Sequence, residues 1–147
     1  MYRAIHITVN QTAHDIDISG PADIIATLGR RHIESLGAHD TLDFWFSPAV
    51  AGARRLNIVA TDLFVTATTR FAANNAPLFY GDVVVTSHSP GGELADLTPD
   101  QIDGLRAGLD WRSEWILGWR YEFAARRAKR TGRSWVCSHS DWSHRAF

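Results

Sequence analysis

Ten residues near the middle of this chain, Pro77-Leu78-Phe79-Tyr80-Gly81-Asp82-Val83-Val84-Val85-Thr86, constrain its fold more than any other stretch. The run is rich in aromatic and β-branched residues and too short to span a bilayer. It is closed by the turn residues Ser89-Pro90-Gly91-Gly92, so it reads as a buried strand. Such a strand needs others beside it. Tyr2 to Val9 is β-branched, His14 to Ser19 alternates, and Asn10 to Ala13 has turn chemistry, which together predict an N-terminal hairpin. Leu42 to Phe46 (Leu-Asp-Phe-Trp-Phe) predicts a further strand and Pro48 to Gly52 a turn, while Asn57 to Thr69 reads as either a short helix or a strand.

Helices cover this sheet. Gly20 ends the hairpin, and Pro21 suits the first turn of a helix whose apolar positions Ile24, Ile25, Leu28 and Ile33 carry it to about Leu36, with Gly37 as its stop. Thr98, Pro99 and Gln101 have the spacing of an N-cap, a first helical position and a capping partner. From there a helix can run toward Arg130, with a break expected near Gly108 and a stop at Thr131-Gly132. The fold class is therefore α+β, with a mixed or antiparallel sheet under helices. With 147 residues, 45% of them hydrophobic, one domain accounts for residues 1–147.

Charge is segregated along the chain. Residues 1–110 hold 13 acids against 7 bases and residues 111–147 hold 3 against 8, so a net charge of −1 conceals about −6 on one part and +5 on the other. Five of the six tryptophans also lie in the second part. On an ideal helix each four-residue step advances about 40°, which sets Trp111, Trp115, Trp119 and Phe123 on one slanting stripe. Arg112, Arg126 and Arg130 fall in or near the same sector, whereas Leu117, Tyr121, Ala124 and Ala128 face the other way. Two uses follow from this pattern. The stripe is core with arginines snorkelling at its edge, or it is a recognition surface, since tryptophan and arginine dominate binding hot spots.

Other constellations are weaker. The run from Arg126 and Arg127 through Lys129 and Arg130 to Arg133 has the composition of a phosphate-contacting segment, but also that of a solvated helix end. Cys137, His139, Asp141 and His144 match no usual zinc spacing, so neither a metal nor a cofactor is expected. His88 lies between Ser87 and Ser89 but lacks the small-residue elbow of a nucleophile, and no acid is evidently placed to orient it. His6 and His14 read as structural or exposed histidines. Gly91-Gly92 is followed by no lysine at the phosphate-loop spacing.

The order of hairpin, helix and Phe44-Trp45-Phe46 is followed by Asn57-Ile58-Val59-Ala60-Thr61, then by Gly81-Asp82-Val83-Val84-Val85 leading to Gly92-Glu93-Leu94 and Leu97-Thr98. Over roughly residues 1–105 this order resembles a small domain of unknown function encoded widely by phages, plasmids and other mobile elements, notably of actinobacteria. The resemblance implies an accessory protein of a mobile element and brings no activity, cofactor or catalytic residue. From about Trp111 the chain departs from that family.

The expected function is non-enzymatic binding of a host or phage macromolecule, or of a second copy in a homodimer, through Trp111, Arg112, Trp115, Trp119, Phe123, Arg126, Arg127 and Arg130. The alternatives are nucleic acid binding by residues 126–133 and a metal-dependent or hydrolytic enzyme built on the Cys/His/Asp tail. No apolar run spans a membrane, no secretory signal is recognisable, and Cys137 has no intramolecular partner. A cytoplasmic location, the host's if the chain is phage-encoded, is therefore expected.

Overall fold

The computed structural model describes residues 1–38, 41–48, 54–68, 77–110, 126 and 144–146. Tyr2–Ile7 (β1) and Ala13–Ile18 (β2) form the N-terminal hairpin, with Tyr2 opposite Ile18 and Ile7 opposite Ala13. Gln11 turns the chain between them with φ 65°, and the Thr8 N–H donates to the Thr12 carbonyl at 2.9 Å. Val83–His88 (β5) pairs with β1 on one side and with Leu42–Phe46 (β4) on the other, so that Val85 lies between Ile5 and Phe44. Glu34–Gly37 (β3) extends the sheet beyond β4, and His144–Ala146 (β7) pairs with β3. The order is β2-β1-β5-β4-β3-β7 with every pair antiparallel, and the short strand Leu94–Ala95 (β6) joins the end of β5.

Strand alternation divides the apolar residues between two faces. On one face Ile5, Ile7, Phe44, Phe46, Val83 and Val85 pack with Leu63 and Phe64 of the helix Ile58–Thr66 (α2) and with Ile102 and Leu105 of Pro99–Asp110 (α3). Phe64 meets both Phe44 and Phe79 edge to face, at 5.2 and 5.6 Å between ring centroids. This is the arrangement that ring quadrupoles favour. On the other face Ala4, Ile18, Trp45 and Val84 pack with Ile33 and with Ile24 of Pro21–Leu28 (α1). The protein is thus α+β, with a sheet buried by helices on both sides.

Several boundaries differ from the expectation. The first helix stops at Leu28, eight residues short of Leu36. Gly29 adopts φ 63° there, and its N–H donates to the carbonyls of Ile25 and Ala26, which closes the last turn. The chain then returns to the sheet, and pairing with β4 satisfies backbone groups of residues 34–37 that a longer helix would have bonded internally. The central run also divides. Tyr80 makes an isolated bridge to Leu56, Gly81 turns with φ 88°, and the strand proper begins at Val83 and extends to His88.

The undecided stretch after Asn57 is helical over Ile58–Thr66. Thr98 and Gln101 form a reciprocal capping box, the Thr98 N–H on Gln101 Oε1 at 2.9 Å and the Gln101 N–H on Thr98 Oγ1 at 3.2 Å. Their helix is continuous through Gly108 to Asp110, the last described residue of this stretch. Strand β7 lies in a tail whose sequence has no clear period. Among the described residues no helix is long and apolar enough to cross a membrane.

Candidate functional site

Two groups of polar side chains sit on the sheet. The first surrounds the start of α2. Asn57 caps that helix by accepting from the Ala60 N–H at 3.1 Å, while its amide donates to the carbonyls of Ile7 and Gly81 at 3.0 Å each. Thr61 Oγ1 donates to the Asn57 carbonyl and accepts from the Phe79 N–H. Asp82 accepts from His6 Nε2 at 2.8 Å and from the Val9 N–H at 3.1 Å. These are the polar residues of the Asn57-to-Thr61 and Gly81-Asp82 strings, and their hydrogen bonds tie α2, the end of β1 and the turn before β5 together. His6 is engaged with Asp82, and His14 Nε2 lies 3.1 Å from Thr12 Oγ1 within the hairpin.

The second group is centred on His88, at the end of β5. Its Nδ1 is 2.7 Å from Oδ2 of Asp43 on β4. The Asp43 side chain is 2% exposed and that of His88 17%, so the carboxylate is out of water while the ring is still reached by it. A carboxylate partner places the proton on Nδ1, which makes Nε2 the acceptor in the neutral ring. No described residue hydrogen-bonds to Nε2. The expectation that no acid orients this histidine is corrected here. The acid comes from a different strand, because the β4–β5 register sets Asp43 opposite Thr86 and so brings its side chain to the face that carries His88. The only signal in the sequence is one carboxylate inside the apolar Leu42–Phe46 strand.

Around this pair lies a cavity of about 330 Å³. Tyr2 of β1, residues 19–21 before and at the start of α1, Asp43 and Trp45 of β4, His88, and residues 92–94 leading into β6 bound it. Trp45 is fixed as one wall by its indole N–H, which donates to Thr86 Oγ1 at 2.8 Å. At the α1 side the Ser19 N–H and hydroxyl both donate to Asp23, and these bonds hold the Asp23 carboxyl below the usual carboxylate range. The serines beside His88 serve the fold. Ser87 Oγ projects from the opposite face of β5 to Thr41 and Gln101, and Ser89 Oγ accepts from the Glu93 N–H. A hydrolytic triad needs a hydroxyl on the histidine, and neither serine supplies one.

Most of the recognition residues expected from the sequence, namely Trp111, Arg112, Trp115, Trp119, Phe123, Arg127 and Arg130, lie outside the described residues. Arg126 is described; it is helical and exposed. Cys137, His139 and Asp141 also lie outside, and His144 is described by its backbone in β7. Among the described residues no three His, Cys, Asp or Glu side chains gather as metal ligands. Compared with known proteins, the chain matches no family model, no curated protein and no solved structure.

Proposed function

We propose that this chain is a non-enzymatic accessory protein, of the kind mobile elements encode, that binds a host or phage macromolecule through its Trp- and Arg-rich segment from Trp111 onward. The observation that carries this reading is the joint segregation of charge and tryptophan, about −6 before residue 111 and +5 after it, with five of six tryptophans on the basic side. Tryptophan supplies large apolar contact area and arginine directional charge, the pairing that concentrates binding energy. The described polar strings are consistent with a non-catalytic role, because Asn57, Thr61 and Asp82 are engaged in holding backbone segments. His88 has an orienting acid, and among the described residues no hydroxyl hydrogen-bonds to its ring.

The test is to use chains bearing Trp111→Ala, Trp115→Ala or Trp119→Ala in affinity capture from host lysate, with unfolding measured in parallel. At least one substitution is expected to weaken capture by about 2 kcal/mol or more with little loss of stability. If all three instead lower unfolding stability by about 3–5 kcal/mol, the stripe is core and the reading fails.

A further inference from the structure

We propose that the cavity beside His88 and Trp45 is a binding site for a small neutral or cationic molecule that presents an N–H or O–H donor to His88 Nε2. The inference is independent of the C-terminal segment. Its geometric basis is the Asp43–His88 pair: Asp43 Oδ2 lies 2.7 Å from Nδ1 and makes it the donor, so that in the neutral ring Nε2 carries a lone pair, and no described residue donates to it. A ring serving only to neutralise the buried carboxylate would need no space on its far side. His88 instead borders a cavity of about 330 Å³, within the lower range of small-molecule sites.

The walls define the ligand class. Tyr2, Pro21, Trp45 and Leu94 offer apolar and aromatic surface, which suits a flat or ring-bearing molecule. The charged lining residues are Asp43 and Glu93, and no lysine or arginine is among the described residues that line the cavity. An anion would meet the Glu93 carboxylate and no lysine or arginine among the described lining residues, whereas a phenolic hydroxyl or an ammonium group would find an acceptor and, in the second case, favourable charge. Among the described residues no hydroxyl hydrogen-bonds to the histidine, so the geometry supports binding and assigns no reaction.

The experiment uses the full chain labelled with ¹⁵N and reads the ring nitrogens of His88 and the indole N–H of Trp45 by NMR. Four probes are titrated: phenol and benzylamine, which carry donors; anisole, which has the ring of phenol without the hydroxyl hydrogen; and benzoate, an anion. Saturable displacement of the His88 Nε2 resonance by phenol or benzylamine is expected. Anisole should bind about tenfold more weakly than phenol, the scale of one hydrogen bond left unmade. His88→Phe should weaken the donor probes by a similar factor while the His6 resonances of the folded variant stay in place, its melting temperature falling because the buried Asp43 carboxylate loses this partner. Should His88→Phe fail to fold, His88→Gln serves as the second variant.

Absence of saturable shifts with both donor probes overturns the proposal. Equal binding of phenol and anisole, tight binding of benzoate, or unaltered binding to the folded variant overturns it as well.

Discussion

At the scale of single residues, Asn57 carries more of the fold than its size suggests. Its carboxamide makes three hydrogen bonds, one to the first turn of α2 and two to the carbonyls of Ile7 and Gly81, so one side chain joins a helix to two other segments. Asn57→Ala is expected to cost about 2–4 kcal/mol, a helix cap of roughly 1 kcal/mol plus the loss of a donor to two carbonyls, in a side chain that is wholly buried. Asn57→Asp keeps an acceptor for the Ala60 N–H but sets a carboxylate against both carbonyls, and is expected to be at least as damaging. Denaturant unfolding of the two variants decides this, and a loss below about 1 kcal/mol for both would show the network to be dispensable. The Asn57-to-Thr61 string was visible in the sequence. Its purpose was not, since the groups it bonds lie 50 residues earlier and 24 later.

Among the elements, α1 shows how one backbone conformation outweighs a periodic pattern. Ile24, Ile25, Leu28 and Ile33 fit helical spacing, yet Gly29 in the left-handed region ends the helix at Leu28, and Ile33 is buried from the loop beyond it. The space around Gly29 is open, with nothing within 4 Å of the position a Cβ would take. The cost of Gly29→Ala is therefore conformational, about 1–2 kcal/mol for a left-handed alanine, and Gly29→Asn should recover part of it. Thermal unfolding of the pair measures the difference. An unchanged melting temperature for the alanine variant would mean that the chain resumes the longer helix its pattern favours. Turn and cap chemistry was more legible than helix length: the Thr98–Gln101 box forms as its spacing predicted, because both partners lie within one helical turn.

At the level of the whole molecule, charge separates the binding hypotheses. Residues 1–110 carry about −6, which opposes the approach of a polyanion to the basic run of residues 126–133. Only weak, low-salt binding to DNA or RNA is expected. Sub-micromolar affinity near physiological salt, lost when Arg126, Arg127, Lys129, Arg130 and Arg133 are neutralised in a folded chain, would favour the nucleic acid alternative. In that case the slope of log affinity against log salt should fall by about one for each contact removed. A protein partner held through tryptophan rings should respond far less to salt.

The sequence by itself determined what depends on neighbours along the chain: the alternation that makes the hairpin, the cap that starts α3, the strand character of Leu42–Phe46 and Val83–Thr86, and so the α+β class. Tertiary structure alone decided which residues meet across strands. Antiparallel pairing carries Asp43 to the face occupied by His88, and it makes β3 from residues with helical spacing because β4 offers their backbone a partner. Side chains 45 positions apart share no local signal, and hydrogen-bond partners supplied by another strand exist only once the sheet has formed.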